Sequence, residues 1–516
     1  MLVHAQDDRL IHVELGNHQK ITVGSSSFLV DFDAVFEDFD SNLKNLDFLE
    51  SENYPEFARK MLDGYSIVHF CDNRLKSFLC DLSGIKRIYV FFDRGGMILG
   101  SDPLRMKEYL HGLDQQIDLK IDSTIAKTFQ SRGYCPPGQT FIEGLAKSIP
   151  GYIHDSSGTT DIDLARYAIA EDASWEDAFE NTISQATENF EQICILFSGG
   201  VDSTAILAAC TRLPNPVPVT CITLVPPPEY TDMRLKKQME NVSRVAKLFP
   251  CEHHTVDMEL SPEFFEQYAK WYPFELPGMP FHSAMRLANK MGLENAIFLC
   301  GQNADSISNL GEATPLKGLS LRKKAHVLAK RFLLSRYNMD SPGMGSRSAI
   351  LQTIGFCANK ELPRSGTEYW KYFNDPAEPR VPIMPTKPDL GSESLSVPED
   401  CKLSESIFLA NARSYNDADT AKSFYASAAI EGVQGFLPFS SIKMTAYGLR
   451  RFQSMPLYLQ LRSKYDIRKY VSKFVDMSVF DAGYQGDDSQ TKAKMEKKKK
   501  FFDDATERAL SQFREP

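Results

Sequence analysis

The sequence predicts an α/β protein in two parts: a β-rich segment, then a domain of alternating strands and helices around a parallel sheet, with a helical end. Three observations predict it. Short apolar runs, Phe28-Leu29-Val30, Ser66 to Phe70, Ile88 to Phe92 and Met97-Ile98-Leu99, recur early and are separated by turn signals such as Leu82-Ser83-Gly84 and Arg94-Gly95-Gly96. The apolar run Ile193-Cys194-Ile195-Leu196-Phe197 passes directly into Ser198-Gly199-Gly200-Val201-Asp202-Ser203-Thr204 and an apolar helix start, Ala205 to Ala209. A second strand, Val217 to Val225, and a third, Ala296 to Leu299, follow at spacings that leave room for helices between them.

Composition bounds the rest. A chain of 516 residues with 42% hydrophobic content can build two to four cored domains. Its apolar runs are too short to span a bilayer, so no membrane segment is expected. The start, Met1-Leu2-Val3-His4-Ala5-Gln6-Asp7-Asp8, lacks the basic and apolar regions of a signal peptide, and a cytoplasmic location is expected. Ten cysteines without a C-x-x-C pair argue for reduced core thiols rather than a zinc site or redox dithiol. A net charge of −10 argues against a nucleic-acid partner.

The loop Ser198 to Thr204 carries the clearest chemistry. Two adjacent glycines let the backbone turn its N–H groups toward an anion, and the helix that starts there adds its positive end. Ser198, Ser203 and Thr204 supply hydroxyls. Asp202 beside a phosphate makes sense with Mg²⁺ between them. The string is not G-x-x-x-x-G-K-[ST], so it is no Walker loop. Later, Ala296 to Ser306 repeats the pattern of an apolar strand ending in a polar glycine turn with one carboxylate, Asp305.

The string S-G-G-x-D-S resembles the pyrophosphatase (PP) loop of the N-type ATP pyrophosphatases. The resemblance implies a PP-loop doubly wound sheet and the substrates and cofactors ATP and Mg²⁺. ATP would lie along Ser198, Gly199, Gly200, Val201, Asp202, Ser203 and Thr204, with adenosine near Leu196, Val225 and Cys300-Gly301, and metal on Asp202 and Asp305. Upstream, Cys80 to Tyr89 looks like the R-D-x-x-G-x-x-P-L-Y string of class II glutamine amidotransferases. Arg132 to Gly151 resembles the closing string of the same domain in asparagine synthetase. That implies an N-terminal Ntn-hydrolase-like αββα sandwich over residues 1–158 and a synthetase domain over 159–516, joined by a linker through Ser156-Ser157-Gly158-Thr159-Thr160.

The departures matter as much. Position 2 is Leu2 rather than the family's nucleophilic cysteine, the first cysteine is Cys71, and no N-G-x-I-x-N string occurs, so the glutaminase is expected to be lost. Gln302 and Ser306 stand where asparagine synthetases carry acids, and Gln434 and Phe436 replace a Glu and an Arg. β-Lactam synthetases and lasso-peptide cyclases show a similar loss. The resemblance therefore implies an AMP-forming amide ligase, most simply one that cyclises its substrate in natural-product biosynthesis, with Gln302, Gln434 and a late lysine, Lys499, at the reacting centre. The partner would be a small molecule or peptide, with an accessory protein as a candidate carrier. An ammonia- or partner-dependent amidating enzyme and a non-catalytic nucleotide-binding assembly subunit are the alternatives. Cys251 to Val256 looks like a strand entry of the family, with His253 and His254 expected to be structural. Prolines 376, 379, 382, 385 and 388 mark an extended insertion over about 340–400.

Overall fold

The computed structural model describes residues 1–6, 9–14, 19–23, 26–32, 64–81, 84–93, 96–113, 120–132, 135, 138–148, 150, 152–155, 158–161, 174–225, 233–259, 262–275, 281–293, 295–308, 420–454, 464–482 and 507–513. The Pro-rich insertion and Lys499 lie outside them.

The N-terminal part is antiparallel. Its strands are β1 Leu2–Gln6, β2 Arg9–Glu14, β3 Gln19–Val23, β4 Ser26–Phe32, β5 Tyr65–Cys71, β6 Arg74–Cys80, β7 Tyr89–Asp93, β8 Gly96–Gly100, β9 Leu145–Lys147, β10 Tyr152–Asp155 and β11 Gly158–Asp161. They run in the order β3-β4-β5-β6-β2-β1-β8-β7-β9, with β10 on β6 and β11 on β10. Asp72 and Asn73, both in the left-handed region, turn β5 into β6 as a tight hairpin. Gly158, Thr159 and Thr160, expected as linker, form a strand against β10 instead.

Alternation along β1, β7 and β8 sends side chains to two faces. Leu2, Tyr89, Phe91 and Ile98 pack under helices α1 (Pro103–Gly112) and α2 (Ser123–Arg132). Val3, Val90 and Leu99 pack against Leu29, Val68, Phe70 and Phe78 of β4, β5 and β6. Asp102 caps α1 by accepting from the Leu104 and Arg105 amides.

The second part begins at α3 (Trp175–Thr187), which Ser174 and Asp177 open as a capping box. There follow β12 Gln192–Leu196, α4 Val201–Cys210, β13 Val219–Val225, α5 Met233–Ala246, β14 Glu252–Asp257, α6 Pro262–Trp271, α7 His282–Lys290, β15 Ala296–Cys300 and α8 Ala304–Ser308. After the insertion come α9 Thr420–Glu431, β16 Gln434–Phe436, a 3-10 turn Pro438–Ser440, α10 Ile442–Ser454 and α11 Tyr465–Val471. The sheet is parallel throughout, in the order β14-β13-β12-β15-β16.

This is the parallel sheet of alternating strands and helices that the sequence predicts. Ile193 and Ile195 of β12 and Ile297 and Leu299 of β15 face α3, α4 and α11. Their neighbours Cys194, Leu196 and Phe298 face α7 and α9. Both faces are covered, which suits strands that are apolar at every position. One sequence expectation differs. Gln434 to Phe436, read as part of a helical region, add an edge strand, because Gly432 at φ 67° ends α9 and returns the chain to the sheet.

The two parts share a buried seam. Phe274 packs with Phe141 and Phe513 in the N-terminal core. The Cys135 amide donates to the Phe274 carbonyl, Tyr272 Oη to the Ile85 carbonyl, and Lys422 Nζ to the Gly84 carbonyl at 2.6 Å. At its centre Glu275 Oε1 accepts from Arg87 Nη1 and from Lys147 Nζ, each at 2.6 Å, with all three side chains buried.

Candidate functional site

Strand order reverses between β12 and β15, and their last residues, Leu196 and Cys300, are register partners. The crevice beyond such strand ends is where open α/β sheets bind ligands. Here the chain leaves β12 through Ser198 and Gly199. Gly199 has φ 68°, and a Cβ added there would meet Val242 Cγ2 at 2.7 Å and Val242 Cα at 2.9 Å. Only glycine serves on both counts. Gly200 is the N-cap of α4 and makes no side-chain cap, so the first amides of this ten-residue helix face the crevice without a side-chain acceptor from that position.

The hydroxyls brace the loop. Thr204 Oγ1 donates to the Gly200 carbonyl at 2.8 Å, Ser203 Oγ to the same carbonyl at 3.2 Å, and the Gly200 amide donates to Ser198 Oγ at 3.3 Å. Thr204 and Ser203 are buried, whereas Ser198 is exposed. Of the three predicted hydroxyls, Ser198 is therefore the one open to a ligand.

A second brace lies behind the loop. The Phe197 amide still pairs with the Ile222 carbonyl, but the Phe197 carbonyl accepts from Thr223 Oγ1 at 2.6 Å. Thr223 Oγ1 also meets His253 Nε2 at 2.9 Å. Burial, then the neighbouring His254, lowers the His253 pKa from its ordinary value. His253 thus serves the loop from behind, as a structural residue. His254 pairs with exposed Glu252.

From β15, Gly301 brings the second turn against the loop: a Cβ there would meet Asp202 Cβ at 3.0 Å and the Ser203 amide nitrogen at 3.1 Å. Cys300 is buried, and its thiol is pushed up to about 12 chiefly by that burial. Asn303 takes a left-handed backbone and donates from Nδ2 to Ser440 Oγ at 3.2 Å, tying this turn to the 3-10 turn after β16. Leu196 and Cys300 lie in one apolar cluster, with Leu224 packed against it, and Val225 is half-buried at the end of β13. Gln302 is half-buried beside Gly301. Asp305 lies in α8, and its side chain is outside the described residues. Gln434 pairs in register with Ile297, three residues before Cys300, which is about 10 Å along the strand. The structure thus gathers Leu196, Ser198 to Thr204, Cys300 and Gly301 at one edge and sets Gln434 lower in the sheet.

One site residue has no counterpart in the sequence expectations. Lys464, at the N-cap of α11, places Nζ 2.5 Å from Asp202 Oδ2, with side chains only 13% and 20% exposed. Lys464 is 262 residues from Asp202 in the chain. Its only local signal is that it precedes a short helix.

The fold and site define a parallel-sheet domain with a glycine turn that opens a helix at its switch point. The asparagine synthase family matches residues 174–347, which include α3 through α8 and therefore the whole loop. No curated protein matches the chain. Among solved structures the chain is similar to the U34-tRNA thiolase NcsA from Methanococcus maripaludis. That likeness has 13% identity over 39% of this chain and 75% of that chain, and a TM-score of 0.18, too slight to carry fold or function.

Proposed function

We propose that the protein is an ATP-dependent, AMP-forming amide ligase. It adenylates a substrate carboxylate at the Ser198–Thr204 loop and joins it to an amine. The observation that carries this is the loop itself: a left-handed Gly199, a helix start after Gly200 with no side-chain cap, and a carboxylate in the first turn that already pairs with a cation. The asparagine synthase match over this region supports a ligase that consumes ATP.

Mg²⁺ fits the residues present. Asp202 accepts an ammonium at 2.5 Å, so its carboxylate is positioned for a cation. Among the described residues no group of three His, Cys, Asp or Glu side chains could hold a metal unaided. A magnesium ion held by one or two carboxylates together with substrate phosphates needs no such group. Bound there, it would neutralise charge on the leaving pyrophosphate.

The chain's own groups do the rest. A carboxylate oxygen attacks the α-phosphorus, the bond to pyrophosphate breaks, and the α4 amides stabilise the departing charge. The amine nitrogen then attacks the acyl carbon, the bond from that carbon to the AMP oxygen breaks, and the nitrogen loses its proton to solvent as AMP leaves. The half-buried Gln302 borders this site.

The N-terminal part we read as an Ntn-hydrolase-like sandwich that has lost its glutaminase. Two of its thiols, Cys80 and Cys135, are buried and raised by that burial, Cys80 to about 12, so neither is a nucleophile at neutral pH. With replaced acids at Gln302, Ser306 and Gln434, the amine is then an organic one, and closure within one substrate gains from holding both ends together. The test is ATP–pyrophosphate exchange with pooled amino acids and peptides, beside Asp202→Asn. Carboxylate-dependent exchange that disappears in the variant supports adenylation; exchange indifferent to Asp202→Asn sinks it.

A further inference from the structure

The turn after β15 is held in place by a distant part of the chain. Gly301 presses it onto Asp202 and Ser203, with no room there for a side chain. Two residues on, Asn303 has φ 67°, a left-handed backbone that asparagine tolerates but that still needs support. Its carbonyl accepts from the Ile307 amide at 3.3 Å and so starts α8, a task that any residue could perform. Its side chain does something else. Nδ2 donates to Ser440 Oγ at 3.2 Å, across 137 residues of sequence, and both residues are buried. Ser440 sits on a firm platform. Its amide pairs with the Leu437 carbonyl at 2.9 Å, the Leu437 amide donates to Tyr425 Oη at 3.3 Å, and Phe439 stacks on Phe179 of α3 at 5.1 Å. Because β15 and β16 are parallel neighbours, the bond joins the turns that leave two adjacent strands at the same edge. Shielded from water, such a bond is stronger than its exposed equivalent.

From this geometry we infer that Asn303 is a positioning residue of the adenylation site, acting through Ser440. The inference rests on the ATP reading of the loop. The Asn303–Ser440 bond sets how closely the Gly301 turn lies against Asp202 and the first turn of α4. Without it the turn is free to lift. Asp202 then loses the surface it rests against, and Gln302, held between Gly301 and Asn303, loses its place beside the loop. Small displacements of this kind are costly where a site depends on preorganised groups. The bond also makes the turn follow the 3-10 segment after β16, so the two turns keep a fixed spacing around the crevice. Asn303 contacts no reacting atom in this role, and no covalent step is involved.

The experiment is a double-mutant cycle read by binding of Mg²⁺ with α,β-methylene-ATP, which cannot be cleaved between its α and β phosphorus atoms, to the full-length protein. Asn303→Gly removes the side chain and accepts the left-handed backbone without strain, so it is expected to fold, as a thermal melt will show. Ser440→Ala removes the acceptor. Each change should raise the dissociation constant roughly three- to tenfold, and the double variant should bind within about twofold of the weaker single one, because both remove the same bond. Ser440→Thr keeps the hydroxyl and should return the constant to within about twofold of the parent. Effects that multiply in the double variant overturn the inference. So does a lowered melt with unchanged binding, which is the mark of a tie that serves folding alone. If the parent protein does not bind the analogue, the ATP reading falls and takes this inference with it. If Asp202→Asn weakens binding but Asn303→Gly and Ser440→Ala do not, only the inference falls.

Discussion

Lys464 and Asp202 meet at 2.5 Å at the carboxyl edge of the parallel sheet, and Glu275 meets Arg87 and Lys147 at 2.6 Å in the seam between the two sheets. The distances are alike; the settings are not. The seam charges are almost wholly buried, and Glu275 directly follows Phe274, which packs on Tyr89 and Phe141, so they are closed to exchange. The edge pair keeps 13% and 20% exposure and faces a crevice lined by helix amides. Burial turns an ion pair into a fixed joint, and partial exposure leaves it available for chemistry.

The sharpest way to test that contrast is at the seam. Glu275→Ala leaves two cations buried without their acid and should cost about 3–5 kcal/mol, read by chemical denaturation. Lys147→Met leaves the Arg87–Glu275 pair balanced and should cost less than half as much. Equal costs would mean that the pair and the triad are not electrostatically coupled.

His282 extends the contrast to a buried group with no charge at all. It stacks 4.1 Å from Phe264, and neither ring nitrogen has a partner among the described residues. Burial, then Arg286, lowers its pKa to about 4 from the ordinary 6.5. Between those values the unfolded chain binds the extra proton and the folded one does not, so stability rises with pH across that window. The full effect is about 3 kcal/mol, lost as pH falls from 6.5 toward 4. Denaturation midpoints of His282→Phe should be correspondingly flatter across the same range.

Thr223→Val should cost about 1–3 kcal/mol by leaving the Phe197 carbonyl and the His253 ring nitrogen unpaired, whereas Thr223→Ser restores both bonds. The smallest effect is expected at the edge. Lys464→Gly loses a partly exposed ion pair and gains a relaxed backbone, and stability should stay within about 1 kcal/mol. A large destabilisation there would erase the distinction between joint and exchangeable pair.

What the sequence revealed follows the range of the forces involved. The strand Ile193 to Leu196, the glycine turn and α4 are contiguous, so periodicity and two glycines were enough to find them. The alternation of strand and helix was legible because β12, β13 and β15 are short, largely apolar runs. Contacts between distant segments were not. Arg87 and Glu275 lie 188 residues apart, and neither position stands out by pattern. Lys464 is hidden in Arg462-Ser463-Lys464-Tyr465, where local chemistry predicts nothing, while the lysine run that drew attention, at Lys499, lies outside the described residues. β16 escaped notice because three residues show no usable alternation.

Thr223 has one proton to give and gives it to the Phe197 carbonyl at 2.6 Å. His253 must then be the donor in its 2.9 Å bond to the Thr223 oxygen, which fixes the imidazole as the Nε2–H tautomer. An added proton can enter only at Nδ1, and it leaves that bond intact. The support under Ser198 is therefore insulated from acidification: His253 can change charge without loosening the loop.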